Sequence, residues 1–195
     1  MNGFSYEIMK ANACHTKFAE QICKEIESSA KQRGSGISKR TPELIIQKIL
    51  EDKAVIAITD MGEWAGFCYI ESWENDQFVS NSGLIIAPQF RKNGLARKIK
   101  AEIFNLSSLK FPNAKVFGLT TSSAVMKINS NMGYEPVIYS EITQDDKFWE
   151  GCKSCINWEI LQSKNRKNCL CTALLFDPLS EVNENNNSKL ISLMA

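Results

Sequence analysis

Between residues 53 and 87 the chain reads as three β-strands in immediate succession, and beyond them strands and helices alternate. That change of rhythm restricts the fold more than any other feature. Lys53–Thr59 is rich in β-branched residues, a turn at Asp60-Met61-Gly62 leads into Trp64–Trp73, and Phe78–Ala87 ends at Pro88. Strands joined so tightly pair antiparallel. A helix from about Asn93 to Leu109, a strand at Lys115–Thr121, a helix at Ser123–Asn131 and a strand at Glu135–Ile142 then form β-α-β units. Upstream, Phe4–Lys10 reads as the first strand. Thr16–Lys31 sets Phe18, Ala19, Ile22, Cys23 and Ile26 at helical spacing. Thr41-Pro42-Glu43 is an N-cap with proline at the first helical position, opening a helix through Leu50. Leu170–Phe176 is the last strand. This order predicts an α/β protein (α+β in its connections) with a central, mostly antiparallel mixed sheet flanked by helices.

At 195 residues the chain suits one domain over residues 1–178, followed by a flexible tail over 179–195 that contains the polar run Glu181–Asn187. Lys and Arg total 23 against 22 Asp and Glu, a net charge of +1. That balance argues against a nucleic-acid partner and against an anionic-membrane patch. The longest apolar runs fall far short of the ~20 residues a bilayer span needs, and the N-terminus lacks the basic and apolar regions of a signal peptide. An odd count of 7 cysteines and no secretory address predict reduced thiols in the cytoplasm. The single histidine, His15, disfavours histidine-based zinc or serine-histidine chemistry.

The chemistry concentrates in Leu84-Ile85-Ile86-Ala87-Pro88-Gln89-Phe90-Arg91-Lys92-Asn93-Gly94-Leu95-Ala96-Arg97. An apolar strand stops at proline, a basic turn follows, and a helix opens on glycine and alanine. Unpaired N–H groups at such a helix N-terminus suit a pyrophosphate, and the small residues let its oxygens reach the backbone. Downstream, Val116-Phe117-Gly118-Leu119-Thr120-Thr121 precedes a short helix and Asn131-Met132-Gly133-Tyr134-Glu135-Pro136. Together, Arg91-x-x-Gly94-x-Ala96 and Met132-Gly133-Tyr134-Glu135-Pro136 resemble the paired signatures of the GCN5-related N-acetyltransferases, over roughly residues 4–142. That resemblance implies a sheet splayed between the strands of Ile85 and Phe117. It implies acetyl-CoA or succinyl-CoA held by the backbone of Leu84, Ile85 and Ile86 and by Arg91, Lys92, Asn93, Gly94, Leu95, Ala96 and Arg97. An amine would attack the thioester directly.

The chain departs from that family at its acid and its base. Asn129 stands where many members have a tyrosine; it can hydrogen-bond the cofactor and, as a catalytic candidate, supplies no proton. Tyr134, the nearest tyrosine and a catalytic candidate, sits where the family has a packed aromatic. No glutamate is present on the strand Ser80-Asn81-Ser82-Gly83, which leaves Glu71 and Glu74 as the nearest carboxylates, with Glu71 the candidate base. In the family the loop after the first helix overhangs the acceptor, which makes Arg33, Lys39 and Arg40 candidates to bind substrate carboxylates. RGSGISKRTPE, GLTTSSAVMKINSNMGYEPV and FWEGCKSCINWEIL resemble bacterial acyltransferases linked to arginine biosynthesis, which implies the α-amine of glutamate as acceptor. The alternatives are a protein or peptide N-acetyltransferase and a silent acyl-CoA-binding module. The expected partner is a small amine or amino acid, and a homodimer is admitted.

Cys152-x-x-Cys155 and Cys169-x-Cys171 stand 13 residues apart. If residues 143–171 form a hairpin, Cys155 lies roughly 10 Å along the strand from Cys171, and one metal cannot bind both pairs. If Glu135–Ile142 pairs with the last strand, the stretch is an insert and both pairs meet at its base. Free thiols packed beside Trp149 and Trp158 are the simpler expectation. Structural zinc is not favoured, and no metal ligand is assigned.

Overall fold

The computed structural model describes residues 5–34 and 38–180; the expected tail residues 181–195, Phe4, residues 35–37 and the side chain of Arg33 lie outside them. Its strands are β1 (Tyr6–Lys10), β2 (Ala54–Thr59), β3 (Trp64–Trp73), β4 (Phe78–Ile86), β5 (Lys115–Thr120), β6 (Glu135–Val137) and β7 (Thr172–Phe176). They form one sheet in the order β1-β2-β3-β4-β5-β7-β6. The helices are α1 (Ala19–Arg33), α2 (Pro42–Leu50), α3 (Leu95–Lys110), α4 (Ser123–Ser130), α5 (Asp146–Glu150) and α6 (Trp158–Ser163). Pairing is antiparallel except between β4 and β5. The expected mixed sheet is therefore present.

β2 and β3 are buried almost throughout, because helices cover both faces of the sheet, and their sequences accordingly run apolar rather than alternating. Thr41 caps α2 by accepting from the Leu44 N–H at 3.3 Å. The last strand before the cysteine segment is shorter than expected. Pairing stops at Val137, Tyr139–Glu141 coils into a short 3-10 helix, and Ile142 is buried in a second apolar cluster with Tyr139, Trp149 and Leu161. Because β6 pairs with β7, residues 138–171 form an insert rather than a hairpin, and they contain α5 and α6.

Two features shape β4. Phe67 faces Ile85 while Tyr69 faces Ser82, so β4 holds one extra residue there, a bulge at Gly83 with φ +66°. A Cβ on Gly83 would stand 2.5 Å from Tyr69 Cε1. On the other face Lys100 of α3 is 2% exposed, donates to Asn81 Oδ1 at 2.9 Å and stands 5.0 Å from the Tyr134 ring centre. Tyr134 Oη donates to the same Oδ1 at 3.2 Å, and Asn81 Nδ2 donates to Ser107 Oγ at 2.7 Å. Burial pulls the Lys100 ammonium down from 10.5 to about 8.

In denaturant titrations Gly83→Ala is expected to cost about 2–4 kcal/mol, backbone strain plus the clash with Tyr69. Gly62→Ala, with φ +79° but no atom within 4 Å of its Cβ, is expected to cost about 1–2 kcal/mol. For Lys100, both folded and unfolded chains are charged at pH 7, where the buried ammonium costs stability. Above about pH 8 the folded chain discharges first, so this group's contribution rises with pH at up to about 1.4 kcal/mol per pH unit. Lys100→Met is expected to remove that rise, seen as a stability difference from the parent that changes steadily from pH 7 to 10.

Candidate active site

β4 and β5 run side by side for only Phe78–Ser80 against Lys115–Phe117. Beyond that, β5 continues against β7 and β4 against β3. Among the described residues, the β5-facing edge of β4 from Asn81 to Ile86 therefore has no strand beside it. Leu84, Ile85 and Ile86 lie on this edge; the side chains of Ile85 and Ile86 are buried, so what they offer to a ligand is backbone. An unpaired edge of this kind accepts an extended ligand by main-chain hydrogen bonding.

The same strand delivers a helix N-terminus. After the turn Pro88–Phe90, Gly94 caps α3 with φ 75°, and a Cβ built on it meets nothing within 4 Å. The first N–H groups to find a carbonyl there are those of Arg97 and Lys98, on Gly94 O at 3.1 and 3.3 Å. The N–H groups of residues 92–96 find no backbone acceptor among the described residues. Open space in front of unpaired donors at the positive end of a helix is a cradle for an anion. Lys92, Asn93 and Arg97 are exposed around it.

Arg91 is placed differently from the sequence expectation. Its Nε donates to Ile86 O at 3.0 Å, and its Nη2 reaches Glu25 Oε1 and Ser29 Oγ, each at 2.6 Å. The guanidinium is a brace between the loop and α1, and the positive charge presented at the cradle comes from Lys92 and Arg97. A lone sequence offers no sign of this, because Glu25 lies 66 residues away.

Asn129, at the C-terminal end of α4, is 2% exposed, and its Nδ2 lies 3.4 Å from the Cβ position of Gly118 in β5. Its Oδ1 is buried without a hydrogen-bond partner among the described residues. Leaving such an oxygen unpaired costs about 1–3 kcal/mol, and a ligand N–H would satisfy it. Tyr134 has no exposed surface, and its hydroxyl is engaged by Asn81. The ring packs at a tilt against Phe104 and Phe176, which places Tyr134 in the apolar core.

On the face covered by α1 and α2, register sets Tyr69 opposite Ser82 and Glu71 opposite Ser80. Trp73 Nε1 donates to Ser80 Oγ at 3.1 Å, and the Ser80 and Ser82 hydroxyls are 3.2 Å apart. Glu71 is not a solvated surface residue: its side chain is 19% exposed, with Lys48 Nζ 3.9 Å away. Glu74 accepts from Thr143 Oγ1 at 2.7 Å and from the Gln144 N–H at 2.5 Å, tying the insert to the end of β3. The Arg40 guanidinium lies 5.8 Å from the Tyr69 ring centre. Arg40 Nε and Tyr69 Oη are both buried without a partner among the described residues, and burial pushes the Tyr69 phenol well up. Arg40 also lines a cleft of about 390 Å³ with Ile26, Ala30, Lys31, Lys39 and Ile156. Tyr69 and Lys100 were missed in the sequence. Their signals were a period-two run, Phe67, Tyr69, Glu71 and Trp73, and a lysine on the apolar stripe of α3.

No family model and no curated protein matches the chain. Solved structures do match by fold. The N-acetylglutamate synthase from Neisseria gonorrhoeae, complexed with coenzyme A and N-acetyl-glutamate, superposes with a TM-score of 0.64 at 15% identity. That match covers 90% of this chain but 36% of that enzyme, so this chain spans about a third of its length. Rv2747 from Mycobacterium tuberculosis, in complex with coenzyme A, gives 0.62 at 13% identity, covering 88% of this chain and 98% of that one. Diaminobutyrate acetyltransferase from Paenibacillus lautus, with its substrate and coenzyme A, gives 0.59 at 9% identity, covering 92% and 98%. The chain shares the fold of the GCN5-related acetyltransferases.

Proposed function

We propose that this chain is an acyl-CoA-dependent N-acyltransferase that acylates the α-amine of a small amino acid bearing a second carboxylate, with glutamate as the acceptor and acetyl-CoA as the donor. The observation that carries the reading is the open edge of β4 leading into the anion cradle at Gly94. Asn129 Oδ1 supplies a third element, a buried acceptor awaiting an N–H. A pantetheine arm ending in a pyrophosphate fits all three, and the solved structures of this fold just described are complexes with coenzyme A.

When bound, acetyl-CoA supplies an activated thioester; the remaining chemistry belongs to this chain. Lys92 and Arg97 add charge around the N–H groups of residues 92–96 and hold the diphosphate. Backbone N–H groups on the free edge of β4 polarise a carbonyl oxygen. Arg40, with its unused Nε beside Tyr69 Oη, receives an acceptor carboxylate, and Lys39 at the cleft adds positive charge. Glu71 is the carboxylate on the acceptor face that takes the amine proton. Its task is light, because an α-amine has a pKa of about 7.7–8, against roughly 10.4 for a lysine side chain. Asn129 provides a hydrogen bond and no proton.

Free-thiol release tests this with acetyl-CoA and succinyl-CoA against amino acids, polyamines and peptides. Turnover with glutamate is expected. Turnover confined to peptides, or binding of acyl-CoA without thiol release, would overturn the reading. Arg40→Gln is expected to raise the acceptor KM about 30-fold or more with little change in the donor KM. Gly94→Glu is expected to weaken coenzyme A binding at least about tenfold by setting a carboxylate in the cradle. Isothermal titration checks the second.

A further inference from the structure

The acyl-transfer chemistry leaves unused the four cysteines of the insert between β6 and β7. We propose that Cys152, Cys155, Cys169 and Cys171 form a tetrathiolate site for a structural zinc ion, which holds the insert against the acceptor cleft.

The topology permits it. β6 and β7 are neighbours, with Glu135 opposite Leu175 and Val137 opposite Ala173. Residues 138–171 thus leave and rejoin the sheet at one edge. The two ends are tied there, since Tyr139 Oη donates to the Cys171 carbonyl at 2.8 Å. The first pair closes a single turn through the Cys155 N–H on Cys152 O at 2.9 Å. The peptide groups of the buried Asn157 then meet one thiol from each pair. Its N–H points at Cys155 Sγ, 3.5 Å away, and its carbonyl oxygen lies 3.9 Å from Cys169 Sγ. Cys152 and Cys171 lie three and two residues along the chain from those two thiols. None of the four is in a disulfide.

Four soft sulfur donors select zinc, and a site filled entirely by protein ligands is structural rather than catalytic. Among the described residues no three potential ligands already stand as a bound ion would hold them, so loading is inferred to draw the sulfurs inward. The insert has reason to use such a link. Its helices α5 and α6 are 5 and 6 residues long, far below what is stable without support. It also forms part of the cleft. Ser154 Oγ accepts from the Lys39 N–H at 2.8 Å, and Ile156 lines the cleft with Arg40. A metal at Cys152 and Cys155 would therefore steady the residues between and beside them that shape the acceptor wall.

The test is metal analysis of the full chain expressed with added zinc and purified without chelator. About one zinc per chain is expected, with Cys155→Ser/Cys171→Ser reducing it to background. The Cys14→Ser chain, altered at an exposed thiol away from the insert, is expected to keep it. Cobalt(II) loading of the unaltered chain should give the intense thiolate charge-transfer and tetrahedral ligand-field bands of a four-sulfur site. Chelation should lower the melting temperature of the parent and leave that of Cys155→Ser/Cys171→Ser unmoved. Zinc-free protein with all four insert thiols reactive, a Cys152–Cys155 disulfide in the intact mass, or full zinc retention by the Cys155→Ser/Cys171→Ser chain would each overturn the proposal.

Discussion

The short parallel contact between β4 and β5 is what joins the two halves of the sheet. Val116 belongs to the large cluster beneath α1, α2 and α3, whereas Phe117, the next residue on β5, belongs to the smaller cluster built by the insert. A longer contact would have closed the edge of β4; a shorter one would have left the two halves of the sheet unconnected. The first residue of β4 beyond the contact is Asn81, and it is held from below by Lys100, Tyr134 and Ser107. Two residues on, the Gly83 bulge turns the strand again, with the Tyr69 ring pressed beneath it. Polar groups buried at this depth are costly unless paired, and here the pairing lies where the strands part.

The charges are divided between structure and ligand. Arg91 spends its guanidinium on Glu25, Ser29 and Ile86 O, so it joins the cradle loop to α1. The cradle is left to backbone donors and to the exposed Lys92 and Arg97. Across the sheet, Arg40 is half-buried with one nitrogen unused. A chain with a net charge of +1 thus concentrates positive potential at two separate places, one suited to a diphosphate and one to a carboxylate. The insert completes the second through Ser154 and Ile156. Its order therefore bears on the cleft at Arg40 more than on the cradle at Gly94.

Much of the fold was legible because local rules decide it. β-branched and apolar runs between turns mark β2, β3 and β4, and Thr41-Pro42 marks the start of α2. Glycine at 94 was readable as the opening of α3 because the backbone there adopts a positive φ. The end of β6 was not legible. Val137 through Ile142 looks like continuous strand, yet Ile142 is drawn into the second cluster with Trp149 and Leu161, and that demand outweighs β propensity. The hairpin and the insert were equally compatible with residues 143–171 until the pairing of β6 with β7 chose between them. Glu71 and Glu74 look alike in sequence, but one faces Lys48 of α2 and the other secures Thr143 and Gln144.

The sequence by itself determined the order of elements, the mixed sheet and the helix N-terminus at Gly94, since each rests on hydrophobic period, capping and backbone freedom within a few residues. Only the tertiary structure decided that Arg91 is a brace, that Asn129 presents an orphaned oxygen beside Gly118, and that one thiol of each cysteine pair stands beside Asn157. These depend on contacts between residues far apart in the chain. Such contacts are set by how the two apolar clusters close around β4 and β5, and no local rule encodes that closure.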